Sequence, residues 1–264
     1  MINNLEVKII NMESATHRRE MIRQIFDRSS FDWSIFTAHT SLDTAEISYS
    51  STEILKTFGR TLSPPQQGVW SSHYFAIKTF LDHSAHDYLL VFEDDVIFDV
   101  ALPVDRLIDY MAKSDIHYMR LFGMYNAPAV RITAWYDRSI LRYKSSPSGT
   151  QAYLLSKEGA ARMISSLKTI NSPIDLAMDQ FWKTGLPIYS LFPFPVIERF
   201  SASSIPIYPP AQLDAIEVAA TYLHRISQKL KKIRQNIALV SSDTRLRASA
   251  NVFQQIRSED VRDA

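Results

Sequence analysis

Three successive carboxylates, Glu93, Asp94 and Asp95, are the residues of this sequence best suited to chemistry. They directly follow Tyr88 to Phe92, an apolar run typical of a strand buried in a parallel sheet. Neighbouring negative charges repel one another, so burying them without a cation would be costly. A divalent ion on Asp95, supported by Glu93 or Asp94, would relieve that repulsion, and ligands that are all oxygen favour Mg²⁺ or Mn²⁺. The alternative is a solvated acidic turn.

The elements around the triplet predict an α/β fold. Short apolar runs alternate with amphipathic segments up to about residue 200, which predicts a Rossmann-like, mainly parallel central sheet flanked by helices. One helix is expected from about Ile174 to Lys183, and no strand is assigned between residues 123 and 150. Ligands of open parallel sheets bind beyond the carboxyl ends of the strands, and the triplet follows such an end.

The pattern changes after about residue 211, so we expect a main domain over residues 1–210 and a helical extension over 211–264. Residues 221–247 hold seven basic residues against one acid, Asp243, although the whole chain carries a formal charge of only +1. Apolar residues at spacings of three and four predict a basic amphipathic helix with a near-heptad stripe. The stripe comprises Ile216, Leu223, Ile226, Leu230, Ile233, Ile237 and Val240. Three interpretations are open: binding to an anionic membrane surface, pairing with a second copy, or packing back on the domain.

Composition excludes several classes of function. The 264 residues include no cysteine, which excludes disulfides, thiolate metal sites and cysteine nucleophiles. The near-neutral charge gives no pull toward nucleic acid. No apolar run approaches the roughly 20 residues of a membrane span, and the polar start of the chain is unlike a secretory signal. We therefore expect a cytoplasmic protein, peripheral at the inner face of the plasma membrane.

Five blocks of sequence occur in one order over about residues 5–205. They are Val7 to Met12 with Arg18-Arg19, Leu62 to His73, Phe92 to Val96, Gly149 to Ala160, and Pro173 to Asp179 with Pro195-Val196. Together they resemble glycosyltransferase family 25, the lipooligosaccharide β-galactosyltransferase type that is related to collagen galactosyltransferases. Pro65, Gln66 and Val69 stand where the family commonly has Gly, Glu and Cys, and Glu198 stands where Gln is expected, which leaves the acceptor and the donor sugar open.

The resemblance implies a GT-A fold and transfer of a hexose with inversion. The implied donor is a UDP-sugar, most simply UDP-galactose, and the implied acceptor is a lipooligosaccharide, a lipopolysaccharide or another surface glycan. The same fold with UDP-glucose or a UDP-N-acetylhexosamine is the nearest alternative. Two other classes are a metal-dependent phosphohydrolase, which would need no acceptor hydroxyl, and a non-catalytic membrane-associated scaffold.

Roles for individual residues follow from the matched blocks. Asp95 is expected to be the principal ligand of Mn²⁺ or Mg²⁺ with Glu93, while Glu93 and Asp94 are shared with the ribose. The other donor-binding residues that we expect are Asn11, Arg18, Arg19, His73, Gly149 and Thr150. The alternatives are that the two arginines lie on an ordinary surface helix, that His73 is a packed or structurally hydrogen-bonded histidine, and that Gly149 belongs to an ordinary turn.

An inverting transfer also needs a base that takes the proton of the acceptor hydroxyl. Asp175 and Asp179 are four residues apart and would share one face of a helix. Asp179 is favoured over Asp175 as the base by a small margin. Asp175 could instead simply cap the helix, since acidic residues are common in a first turn. Glu198 is a further candidate.

Overall fold

The computed structural model describes residues 4–199 and 215–249. In chain order the elements are β1 (Leu5–Asn11), α1 (Thr16–Phe26), β2 (Ser34–Thr37), α2 (Ser51–Phe58), α3 (Pro64–His83), β3 (Tyr88–Glu93), β4 (Val96–Phe98), α4 (Val104–Lys113), β5 (Tyr118–Arg120), β6 (Ala129–Trp135), β7 (Arg138–Tyr143), β8 (Ala152–Ser156), α5 (Lys157–Leu167), α6 (Ile174–Met178), α7 (Phe181–Thr184), β9 (Tyr189–Phe192), β10 (Val196–Glu198) and α8 (Ala215–Ala238). Residues 240–249 are again helical.

The central sheet has eight strands in the order β2-β1-β3-β8-β5-β9-β7-β6. β7 and β8 run opposite to the other six strands, as their pairings require. β4 and β10 form a separate antiparallel pair. The prediction of a mainly parallel α/β sheet flanked by helices is therefore confirmed.

The hydrophobic core lies on both faces of this sheet. Side chains of β3 alternate between two clusters, with Leu90 and Phe92 in one and Leu89 and Val91 in the other. Because β3 is buried on both sides, its sequence is a continuous apolar run without alternation. This central, rigid strand ends at Glu93 and so fixes where the acidic triplet begins.

Two features of the fold were not predicted. The β6–β7 hairpin lies where no strand was assigned, because Arg142 occupies a buried position of β7 where an apolar residue would be expected. The expected helix over residues 174–183 is divided into α6 and α7, with Asp179 as the residue that ends α6. Asp175 lies in the first turn of α6 and is partly exposed, whereas Asp179 ends this helix and is buried.

The C-terminal helix is present and contacts the rest of the fold through α2 and α7. Residues 211–214 and 250–264 of the predicted extension, and the side chain of Ile216, lie outside the described residues. Within the described ranges, no helix has both the length and the apolar character needed to cross a bilayer.

Candidate active site

Asp94 is the best-paired member of the acidic triplet. β1 and β3 are parallel neighbours, so their carboxyl ends meet at one edge of the sheet. Asn11 at the end of β1 donates from Nδ2 to Asp94 at 2.7 Å, and Arg18 from α1 donates to the other carboxylate oxygen at 2.7 Å. Arg19 Nε donates to Asn11 Oδ1 at 3.1 Å. The hydrogen bond to Asp94 raises the pKa of Arg18, and Asp94 is occupied by protein groups.

Glu93 is held from the opposite side. Thr150 donates its hydroxyl to Glu93 Oε1 at 2.5 Å, and His73 Nε2 lies 3.4 Å from the same oxygen. His73 Nδ1 and the Tyr153 hydroxyl are hydrogen-bonded at 3.0 Å. Burial raises the pKa of Glu93, but His73, Thr150 and the charge of Arg120 outweigh burial and leave that pKa below its ordinary value. Glu93 is therefore held as a carboxylate.

Asp95 has no such support. Its Oδ1 atom is buried and accepts no hydrogen bond from the residues that the structure describes, although its backbone carbonyl accepts one from the Arg199 amide at 2.6 Å. Burial, followed by the charges of Glu93, Asp94 and Glu198, raises the pKa of Asp95 to about 7. An oxygen with unmet demand for positive charge is what a divalent cation would satisfy.

Glu198 belongs to the same concentration of negative charge. It lies opposite Val96 in the β4–β10 pair, and Val96 is the residue that follows Asp95. Burial and the charge of Glu93 raise its pKa. Among the described residues, no group of three or more His, Cys, Asp or Glu side chains could by itself hold a metal ion. The donor set fits an ion that takes some of its ligands from a bound substrate.

A tight loop carries Thr150 to Glu93. Ser148 and Gly149 both have positive φ, at 57° and 80°. A Cβ on Gly149 would clash with the Gln151 side chain and lie 2.7 Å from the Phe122 ring, so only glycine fits. The Gly149 amide donates to Asp175 Oδ2 at 3.2 Å. The glycine is thus explained by the loop itself, which links Asp175 to the edge where Glu93 lies.

Asp179 lies below this loop in a buried ion pair. Arg120 donates to both Asp179 oxygens, at 3.0 and 3.1 Å, and neither side chain is more than 1% exposed. The Tyr118 hydroxyl donates to Asp179 at 3.1 Å and the Ser146 hydroxyl at 2.6 Å. Burial outweighs Arg120 and raises the pKa of Asp179. Asp179 has three donors and no free face, whereas Asp175 is only partly buried.

The structure brings the predicted site residues together in one region. Asn11, Arg18, Arg19 and Asp94 form one linked group, His73, Glu93 and Thr150 form a second, and Gly149 with Asp175 forms a third. Sequence reasoning missed Arg120, Ser146 and Tyr118. Arg120 had a detectable signal, since an arginine between Met119 and Leu121 in a central strand needs a buried countercharge.

Comparison with known proteins gives one family match and several structures of low similarity. The profile of glycosyltransferase family 25 (LPS biosynthesis protein) matches residues 4–181, and no curated protein matches the chain. Among solved structures, A197 from STIV is similar at 11% identity over 78% of this chain and 98% of that chain, with a TM-score of 0.41. TarS from S. aureus is similar at 10% identity over 71% of this chain and 36% of that chain, with a TM-score of 0.37. UDP-glucose phosphorylase from Trypanosoma brucei is similar at 12% identity over 64% of this chain and 41% of that chain, with a TM-score of 0.27.

The family match carries the assignment, since structural similarity at these TM-scores supports no argument. It covers more than half of the chain and includes four of the five sequence blocks, together with the start of the fifth. The predicted GT-A fold with its C-terminal helix is confirmed. Family membership favours glycosyl transfer over the phosphohydrolase and scaffold alternatives. The chain belongs to glycosyltransferase family 25, and its role is that of a glycosyltransferase in lipopolysaccharide biosynthesis.

Proposed function

We propose that this protein transfers galactose, with inversion, from UDP-galactose to a lipooligosaccharide or lipopolysaccharide acceptor, and that it uses Mn²⁺ or Mg²⁺. Family membership implies a nucleotide-sugar donor and a glycan acceptor. The observation that supports a metal ion and a diphosphate is the Oδ1 atom of Asp95 at the carboxyl edge of the sheet, which is buried and has no hydrogen-bond partner among the described residues. The likeness of the five blocks to β-galactosyltransferases supports the choice of sugar and linkage.

Asp95 is the residue that would hold the cation, with the remaining ligands coming from the donor diphosphate. Asp94 is occupied by Arg18 and Asn11, and Glu93 Oε1 is occupied by Thr150. When bound, the cation supplies positive charge to the leaving diphosphate. Arg18, partly exposed beside the site, adds a second positive group for the same phosphates.

Asp175 is the better candidate for the base. A base must reach the hydroxyl whose proton it takes, and Asp179 is enclosed and committed to Arg120, Tyr118 and Ser146. Asp175 is partly exposed, and its Oδ2 accepts one weak hydrogen bond from the Gly149 amide. We therefore propose Asp175 in preference to Asp179, which is the reverse of the preference drawn from sequence.

The step itself is a single displacement. The acceptor hydroxyl gives its proton to the Asp175 carboxylate while its oxygen bonds to the anomeric carbon. The bond from that carbon to the phosphate oxygen breaks on the opposite face, and its electron pair leaves with UDP. The configuration at the anomeric carbon is thereby inverted. Arg18 would orient the diphosphate, and the Gly149 amide would orient Asp175.

Calorimetric titration of UDP with and without Mn²⁺ tests the donor site. We expect binding that depends on Mn²⁺ in the wild type and falls at least tenfold in Asp95→Asn. Asp109→Asn, on the exposed side of α4, removes the same charge elsewhere and should bind like the wild type. Equal UDP affinity with and without Mn²⁺ would rule out the proposed metal site, and no UDP binding at all would rule out a UDP-linked donor.

Transfer assays then identify the sugar and the base. Truncated lipooligosaccharide is offered with UDP-galactose, UDP-glucose or UDP-N-acetylglucosamine, and the new linkage is assigned by NMR. We expect β-linked galactose, whereas preferential transfer of another sugar would replace the donor assignment and leave the metal site intact. Asp175→Asn should lower kcat by roughly 10²–10⁴ with unchanged UDP affinity. Wild-type turnover in Asp175→Asn would exclude it as the base.

A further inference from the structure

The C-terminal helix α8 packs on the domain through its polar side. The Thr221 hydroxyl donates to the Leu55 carbonyl at 2.9 Å, and Trp182 Nε1 donates to Gln228 at 2.6 Å. Arg142 donates to Asn236, and Asn236 Nδ2 donates to the Lys144 carbonyl at 3.0 Å. A surface helix usually turns its apolar side toward the core, and α8 does the reverse over most of its length.

The same inner side is fixed by a buried ion pair just beyond α8. Arg142 donates from Nε and NH2 to the two oxygens of Asp243, at 2.6 and 2.7 Å, and both side chains are almost fully buried. Thr221, Gln228, Asn236 and Asp243 recur at spacings close to whole helical turns. Contacts from Thr221 to Asp243 thus set the orientation of α8 and of the helical residues that follow it.

The outer side of α8 is an exposed apolar stripe. It consists of Leu223, Ile226, Leu230, Ile233, Ile237 and Val240, each 40–68% exposed. At 1.5 Å per residue the stripe is about 25 Å long. A contiguous apolar surface of this kind on a folded domain marks an interaction site.

Charge beside the stripe discriminates between possible occupants. Lys229 and Arg234 are exposed on opposite edges of the stripe, and Lys231 and Arg245 are also exposed. Between residues 218 and 249 the one acidic residue in the sequence is Asp243, which is buried against Arg142. The exposed surface around the stripe is therefore positive.

This pattern opposes pairing with a second copy. If the stripe occupied the a and d positions of a parallel coiled coil, Lys229 would lie at g and Arg234 at the following e position. Lys229 of one copy would then face Arg234 of the other, and like charges at these positions repel. An anionic surface meets no such penalty, and basic residues beside an apolar stripe are typical of helices that lie in the plane of a membrane interface.

We propose that α8 is a membrane-docking helix that lies flat on an anionic bilayer, with the apolar stripe at the boundary of the acyl chains and the flanking lysines and arginines among the headgroups. The polar inner side stays bound to the domain. This inference rests on the orientation of α8 and not on the donor sugar, so it can fail or hold independently of the proposed reaction.

Co-sedimentation with lipid vesicles tests the proposal. The full chain should bind vesicles of phosphatidylglycerol and phosphatidylethanolamine and bind phosphatidylcholine vesicles at least tenfold more weakly. Replacing Leu230 and Ile233 together by Gln should lower binding at least tenfold, whereas Ala238→Gln, an equally exposed change away from the stripe, should stay within twofold of the wild type. Lys229→Gln with Arg234→Gln should weaken binding severalfold and flatten its dependence on salt.

Three results would overturn the proposal. The first is failure of the wild type to bind anionic vesicles, and the second is equal binding by the Leu230 and Ile233 variant. The third is a mass that rises with protein concentration in lipid-free ultracentrifugation and returns to monomer in that variant, which would assign the stripe to a second copy. Unchanged thermal unfolding of each variant shows that the fold, which does not bury these side chains, is intact.

Discussion

Two carboxylates near the site, Asp179 and Asp95, differ in the source of the positive charge that balances them. Asp179 accepts hydrogen bonds from Arg120, Tyr118 and Ser146, so its countercharge and its hydrogen-bond donors all come from the protein. Asp95 is surrounded by other carboxylates and keeps a buried oxygen without a partner. Removing one partner of a completed buried pair leaves the other charge uncompensated, whereas a buried carboxylate that lacks a countercharge costs stability until a ligand binds. The charge of Asp179 is therefore structural, whereas the charge of Asp95 is the one that we propose to be functional.

Asp179→Asn is the change with the largest expected effect on this comparison. It leaves the Arg120 guanidinium buried without a countercharge, which typically costs about 3–5 kcal/mol. The free energy of unfolding in urea at pH 7 measures the loss. Combining it with Arg120→Met removes the stranded charge and should recover a substantial part. A loss below about 1 kcal/mol in the single variant would mean that the pair is not structural.

Asp95→Asn should change stability in the opposite direction. The pKa of Asp95 is raised to about 7 in the folded protein, so the native state binds the proton more readily than the unfolded state. Ionisation therefore removes stability as the pH rises from about 4 to 7, and asparagine avoids this cost. With EDTA present, we expect the variant to be more stable on the order of 2 kcal/mol at pH 8, with the difference gone near pH 4.

Adding Mn²⁺ with UDP should invert that ranking. A ligand that binds only the native state raises its stability, so the wild type should show a higher Tm and Asp95→Asn should not. Thermal unfolding with and without the two ligands measures this. A metal-free variant that is less stable than the wild type at pH 8 would place Asp95 with the structural charges.

Ser146→Ala is expected to have an intermediate effect. The hydroxyl donates to Asp179 and accepts from the Ser148 amide, so its removal leaves both with one partner fewer. We expect a loss of about 1 kcal/mol and, because the loop carries Gly149, a severalfold fall in kcat. Urea unfolding and the transfer assay measure the two effects, and Ser139→Ala on β7 is the matched control.

Arg18→Gln should have the smallest effect on stability. Its ion pair with Asp94 is partly exposed, and such pairs contribute less than about 1 kcal/mol. Its effect on UDP affinity should nevertheless be clear, a weakening of about tenfold measured by calorimetry. A loss of stability as large as that of Asp179→Asn, with unchanged UDP affinity, would reverse its assignment as a functional residue.

Much of the fold and site was predictable, because strong local patterns carry it. The apolar run of β3 followed by Glu93, Asp94 and Asp95 places the site at a strand end, and Ser156 caps α5 as expected. The β6–β7 hairpin was not predictable, since the buried Arg142 of β7 is paired by Asp243, which is distant in sequence.

The sequence by itself determined which chemistry is present: a carboxylate triplet after a buried strand, ordered family blocks and a basic helix with an apolar stripe. Only the tertiary structure decided how each charge is used. It paired Asp94 and Asp179, left the Oδ1 atom of Asp95 without a partner among the described residues, and turned the stripe of α8 away from the domain. The physical reason is that local pattern depends on neighbours along the chain. Partnering and burial depend on residues brought together by the fold, such as Arg120 and Asp179, 59 positions apart.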